Sequence, residues 1–371
     1  MHAEEVNATA PSWRHRVAAG LYRSGLLTTF RVASRHCELS CDSSNQSRLR
    51  RVRKAKYVVL GYHNVGLAGL PLYCRLPQAT FAEQMKFIKS HYRVISLPQM
   101  LDELAGSRQS GQSIVITFDD GYVGTYTDAF PILKQYAIPA TVYLTAGLIE
   151  SEETSWYDRI FLQFQRATSD LTIASDSTTP PLLNGFHSRV AAATAAVMYL
   201  RSVPDEARRQ WCESLDSKVP LTVQETRKAM MSWEQVREMS CAGISFGCHT
   251  MTHPVMSRVS PETLDYEIGA SKALVEARLD CAVRDFAFPF GKPKDCGQIG
   301  ANTLTRLGLR SAMTTIVGVN QPGTDCFRLR RMVQGDESSL ALFAYRLQRL
   351  FFHPVDEELN GKPSIAVEPM S

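Results

Sequence analysis

From residue 57 onward, short apolar runs alternate with stretches whose apolar positions repeat at helical spacing. YVVLGYH (57–63), YRVIS (92–96), IVITFDD (114–120), ATVYL (140–144), ISFGCH (244–249), DFAFPF (285–290) and LRSAMTT (309–315) predict strands. The stretches 79–90, 97–105, 124–137, 233–241, 261–279 and 297–307 predict helices. Alternation this regular implies βαβ units and a mainly parallel sheet. From about 150 to 232 the rhythm breaks, and that stretch reads as a largely helical insertion.

In parallel sheets, sites gather at the carboxyl ends of strands. Asp119 and Asp120 stand at such an end, where two adjacent anions repel unless a cation, a shared proton or water separates them. An exposed Asp-Asp-Gly turn is the plain alternative. CHTMTHP places His249 and His253 four apart at the end of another predicted strand. Pro254 disfavours helical backbone at His253, so the pair belongs to a strand-to-loop turn. Alone, they could be two unrelated histidines. Together with the aspartates they supply two imidazoles and a carboxylate, with a second carboxylate left over, which suits a catalytic-type site for zinc or a similar divalent ion.

Composition narrows little. The 371 residues are 44% hydrophobic and 21% charged, and 41 basic against 37 acidic side chains leave +4, too small a bias to imply a nucleic-acid partner. Nine scattered cysteines show neither a C-x-x-C pair nor zinc-knuckle spacing, which favours free thiols in a reducing compartment. The first residues lack the apolar core of a secretory signal, and no window has the apolar length of a membrane span. A cytoplasmic protein is expected. The arginine-rich stretch 13–35 and the six basic residues between Arg48 and Lys56 allow a peripheral contact with the inner membrane face, although a solvated linker explains the basic run better.

Four phrases taken together, LGYHNVG (60–66), TFDDG (117–121), HTMTH (249–253) and FAFPFGKP (286–293), resemble the polysaccharide deacetylases of NodB-homology type, carbohydrate esterase family 4, and within them the subgroup concerned with exopolysaccharides. The similarity runs from about Tyr57 to Gly335. It implies a distorted (β/α) barrel of about seven parallel strands over 57–335 with the helical insertion at 150–232. Residues 1–56 are then a basic leader, and 336–371 a C-terminal helix and tail.

The resemblance implies that Asp120, His249 and His253 hold the metal, Zn2+ in the first place with Co2+, Ni2+ or Fe2+ as alternatives, and that Asp119 is the general base. It further implies an acetylated amino-sugar polysaccharide, or its lipid-linked precursor, as substrate. Two features depart from the family pattern. The arginine that precedes the Pro-aromatic-Gly turn and orients the base is replaced by Ala287, and the late histidine acting as general acid is missing from FRLRRM (327–332). Arg330 or Arg331 is expected to supply the orienting charge, and His63, at the end of the first strand, is the candidate acid. Backbone N–H groups near Tyr143–Thr145 or Phe290–Gly291 are candidates for the oxyanion. Trp156 and Tyr157 at the start of the insertion, with Phe290, are expected to contact sugar. The competing readings are hydrolysis of another amide or an O-acetyl ester on the same scaffold, and a silent glycan-binding homologue.

Overall fold

Strand residues from Tyr57 to Tyr62 are buried without a break, as expected where both faces of a parallel sheet are covered. The computed structural model describes residues 55–66, 75–106, 111–167, 188–226, 229–297, 299, 301–335 and 339–352. The arginine-rich stretch 13–35 and the basic run up to residue 54 lie outside these, while Lys56 opens the first strand.

Seven strands form the main sheet: β1 (Lys56–Tyr62), β2 (Gln112–Phe118), β3 (Ala140–Leu144), β4 (Ser245–Cys248), β5 (Asp285–Ala287), β6 (Ser311–Met313) and β7 (Met332–Val333). They are parallel throughout and lie in the spatial order β7-β1-β2-β3-β4-β5-β6, curling into the distorted barrel expected from the alternation. A two-residue strand, Arg93–Val94, also pairs with the start of β2. Leu329 bridges to Met313 beside β6, and Met332 pairs with Leu60 of β1. The segment 329–333 therefore runs from one end of the sheet order to the other, with Arg331 between its two attachments.

Alternation sorts each strand into two cores. Val58, Leu60, Tyr62, Ile114, Ile116, Phe118, Val142 and Leu144 pack outward under the surrounding helices. Tyr57, Val59, Val115, Tyr143, Ala287, Met313 and Leu329 fill the interior, closed at the amino-terminal end by Leu97, Met100, Leu101 and Leu104 of the helix Leu97–Gly106. Asp119 and His249 have the same parity as the interior residues Val115 and Gly247, so the interior faces lead directly into the site.

Several helix starts follow from their caps. Ser232 and Gln235 form a capping box for Trp233–Cys241, and Ser260 caps Pro261–Leu279 with proline in its first turn. The expected helix 124–137 opens as a π-helical turn, Thr125–Ala129, and becomes α-helical over Phe130–Gln135. Pro131 cannot donate to the carbonyl four residues back, which prevents a regular helix from running through. The strand expected over 285–290 stops at Ala287, because Pro289 has no N–H for a ladder. Among the described residues no helix is long and apolar enough to cross a membrane.

The insertion contributes the helices Trp156–Arg166, Arg189–Leu200 and Asp205–Lys218. They share a separate core of Trp156, Tyr157, Ile160, Phe161, Phe164, Leu200, Trp211 and Leu215, against which Phe290 packs.

Candidate active site

Asp119 and Asp120 leave β2 in opposite environments. A three-residue turn, with the Gly121 N–H donating to the Asp119 carbonyl at 2.9 Å and Asp120 at φ 72°, points the two side chains apart. Such backbone is costly for a non-glycine residue and persists where the surroundings enforce it. Gly121, at φ 93°, lies so close to Ile149 that a Cβ would approach its Cδ1 to 2.6 Å.

Asp119 receives a two-pronged contact from Arg331, with Nη1 to Oδ1 at 2.7 Å and Nη2 to Oδ2 at 2.5 Å. The Arg331 Nε donates to the Thr314 carbonyl at 2.9 Å, so the fork is fixed at its base. Gly61 makes room for it, since a Cβ there would meet the Arg331 Cδ at 3.3 Å. Both partners are buried. Burial alone would raise the Asp119 carboxyl, but the charge and hydrogen bonds of Arg331, with smaller help from the histidines, hold it below the usual carboxylate range. Of the two arginines expected to orient the base, Arg331 reaches it. Arg330 is held through its backbone, which accepts from and donates to the side chain of Asn320.

Asp120 faces the histidines. Its Oδ1 lies 3.5 Å from the His249 Nε2 and 3.4 Å from the His253 Nε2, and the three groups can bring one ligand atom each within 4.8 Å of one another. The His249 Nδ1 is 2.7 Å from the Ala287 carbonyl, which can only accept. Nδ1 must therefore carry the proton, leaving the Nε2 lone pair aimed at Asp120. Burial raises the Asp120 carboxyl well above its ordinary value, reinforced by Asp119 and Asp158, and burial lowers both imidazoles. The Asp120 Oδ1 has no hydrogen-bond partner among the described residues. A buried carboxylate oxygen and two neutral imidazole nitrogens converging on one point fit a divalent cation, whose charge would offset the cost of keeping Asp120 ionised.

The loop carrying His253 is clamped from below. Glu267, buried on the helix Pro261–Leu279, accepts from the N–H groups of Met251 (2.8 Å) and Thr252 (2.9 Å) and from the Thr252 hydroxyl (2.7 Å). Thr250 and His253 both have positive φ, and the Thr250 hydroxyl accepts from the His253 N–H at 3.0 Å. The Trp156 indole donates to the His253 carbonyl at 3.0 Å, joining the insertion to the same loop. A glutamate in a helical run gave no signal of this function in the sequence; a buried acid facing a loop is recognisable only in three dimensions.

Trp156 and Tyr157, expected as sugar contacts, are both buried in the packing of the insertion. The ring of Tyr157 meets that of His253 at 5.0 Å, and Arg208 covers Trp156 at 4.9 Å. Phe290 remains partly exposed at the rim, 4.8 Å from the His253 ring, on a second three-residue turn in which the Gly291 N–H donates to the Pro289 carbonyl at 2.6 Å. Of the backbone donors expected near the oxyanion, those of Thr145 and Gly291 are engaged, by the Asp120 and Pro289 carbonyls respectively. His63 lies beside Asp119, its Nε2 3.8 Å from the Asp119 Oδ2, and burial lowers it to about 4. A cavity of about 730 Å3 behind Trp156, lined by Arg208, Asp216 and Tyr266 among others, has neither Asp119 nor Asp120 and none of His63, His249 and His253 in its lining, so the chemistry belongs to the open rim.

Fold and site together define a (β/α)-barrel protein with an Asp-His-His cluster and a separate, arginine-held carboxylate at its strand ends. The chain belongs to the polysaccharide deacetylase family, whose model matches residues 106–311. It is 34% identical over 84 residues to a poly-beta-1,6-N-acetyl-D-glucosamine N-deacetylase of Staphylococcus aureus, a match covering 22% of this chain and 29% of that protein. A relative from Bacillus subtilis is matched over 34% of its length, so the similarity reaches about a third of these relatives. The fold is similar to that of the Streptococcus pyogenes deacetylase PplD (TM-score 0.52, 18% identity, covering 80% of this chain and 98% of that one). It is equally similar to IcaB from Ammonifex degensii (TM-score 0.52, 21% identity, covering 80% and 98%).

Proposed function

We propose that the protein is a metal-dependent deacetylase that removes N-acetyl groups from amino sugars of an exopolysaccharide or its precursor. The observation that carries this reading is the separation of two adjacent carboxylates, one committed to a guanidinium and the other to two histidines. Asp120, His249 and His253 would hold the ion, with Zn2+ the first candidate and Co2+, Ni2+ or Fe2+ compatible with the same donors. A divalent ion there supplies Lewis acidity and a water of lowered pKa.

Asp119 takes the proton from the attacking water. Arg331 keeps this carboxylate ionised and fixes both oxygens, so that it enters the reaction already oriented. His63, beside Asp119 and neutral at pH 7, is placed to relay that proton to the departing amine. Phe290, partly exposed at the rim, is the aromatic left to meet a sugar ring. Trp156 and Tyr157 act behind it, by holding His253. The name of the Staphylococcus aureus relative supports an N-acetylglucosamine polymer as the substrate, and the Arg331 contact supports turnover over a silent glycan-binding homologue.

The test is acetate release from N-acetylglucosamine oligomers by the wild type and Asp119→Asn, with metal content measured on both. Metal in both proteins and acetate from the wild type alone is the expected result. Metal without acetate from any acetylated glycan would leave a binding protein, and release from O-acetyl esters alone would move the activity to the alternative hydrolase.

A further inference from the structure

Beside the metal cluster the rim carries cations that the deacetylation chemistry leaves unused. Arg201 caps the helix Arg189–Leu200, Arg258 ends the short turn Met256–Arg258 that follows His253, and Lys294 follows the Phe290 turn. With Met198, Ser202 and Asp295 they line one recess of about 50 Å3. Three cations thus face one carboxylate, leaving a local charge of +2. Asp295 is buried and already bonded by the Arg201 Nη2 at 2.8 Å. Arg258 and Lys294 are exposed, and neither makes an ion pair among the described residues.

The second observation lies within Arg201. Its Nε is buried and has no hydrogen-bond acceptor, although a charged donor in that state is costly. Its guanidinium lies 4.2 Å from the Phe290 ring, and that ring lies 4.8 Å from His253. The recess and the proposed reaction centre are therefore linked through one aromatic ring.

We propose that this recess is a subsite for a phosphoryl group, so that the preferred substrate carries a phosphate on or next to the N-acetylated sugar, as a lipid-linked glycosyl phosphate or a phosphate-bearing polymer would. A planar carboxylate is satisfied by one guanidinium fork, whereas cations converging from three separate segments suit a tetrahedral oxyanion. The inference rests on the deacetylase reading above and adds its substrate class.

The experiment compares kcat/KM of the metal-loaded full chain for N-acetylglucosamine 1-phosphate and for neutral N-acetylglucosamine oligomers. The phosphorylated sugar should be preferred about tenfold at low ionic strength, the preference shrinking as salt is added. The Arg258→Ala/Lys294→Ala double variant should lose the preference and keep the rate on the neutral oligomer. Equal kcat/KM for both substrates, a preference that survives in the double variant, or the same preference for a uronate-containing saccharide would each overturn the proposal. Should neither substrate release acetate, the proposed function fails, and calorimetric binding of inorganic phosphate reads the subsite independently. Binding that the double variant abolishes upholds it, and no binding by the wild type ends it. Comparing a polyprenyl-linked sugar phosphate with the soluble one then assigns the source of the phosphate.

Discussion

Arg331 grips both carboxylate oxygens of Asp119 from a position 212 residues away in sequence, and both residues are buried. The resemblance read from the sequence puts an orienting arginine at the position of Ala287. Here that residue lends its carbonyl to His249, and a different segment delivers the guanidinium.

Arg331→Ala should therefore cost about 3–5 kcal/mol of stability, because it strands a buried carboxylate, and should nearly abolish turnover. Arg331→Lys keeps the charge without the fork, and is expected to recover much of the stability and little of the rate. Arg330→Ala should stay within about 0.5 kcal/mol of wild type. Denaturant unfolding and acetate release on the three variants check this, and a rate loss for Arg330→Ala as large as that for Arg331→Ala would contradict it.

Chelation should remove activity and lower the melting temperature together, and zinc should restore both. Asp120→Asn, His249→Gln and His253→Gln should each bind metal weakly. Asp119→Asn should retain the metal and lose roughly 10²–10⁴ in kcat. Elemental analysis beside kinetics separates the two classes.

His63 links stability to pH. Its folded value of about 4 lies below the ordinary 6.5, so the unfolded chain binds this proton first as pH falls. The corresponding stability is complete above about pH 6.5 and drains away as pH drops towards 4, on the order of 3 kcal/mol. The metal-free chain, unfolded in urea across that window, should show a slope to which the buried His249 and His253 also contribute, and His63→Gln should make it shallower by its own share. An unchanged slope in the variant would remove His63 as a source.

Glu267→Ala should orphan the Met251 and Thr252 N–H groups, costing about 1–3 kcal/mol, and should loosen the turn that presents His253. Metal affinity is expected to fall by about 10–100-fold. Glu267→Gln retains an acceptor and should recover part of both. An affinity equal to wild type in Glu267→Ala would show that the histidine loop holds its shape without the clamp.

The strands were legible because their apolar runs are short, β-branched and buried on both faces, and ATVYL matches β3 residue for residue. The adjacent aspartates and the spaced histidines stood out as residue types that need a reason to sit at strand ends. Choosing between Arg330 and Arg331 was beyond the sequence. Consecutive residues of extended chain point to opposite sides, and β7 is too short to display an alternation that would reveal which side faces the interior. Trp156 misled for a related reason, since a tryptophan that covers a site from behind has the same sequence appearance as one that stacks on substrate.

The closing segment 329–333 also sets an order of events during synthesis. Asp119, the proposed base, emerges from the ribosome early, but its counter-charge follows only with residue 331, after every other strand of the barrel has been made. Until then a nascent chain has no guanidinium to place against Asp119, and the edge of β1 opposite β2 has no strand beside it. A messenger truncated before codon 331 would yield a protein with all of its proposed metal ligands and an unheld base. On the proposed mechanism, hydrolytic competence therefore waits for the last strand of the barrel.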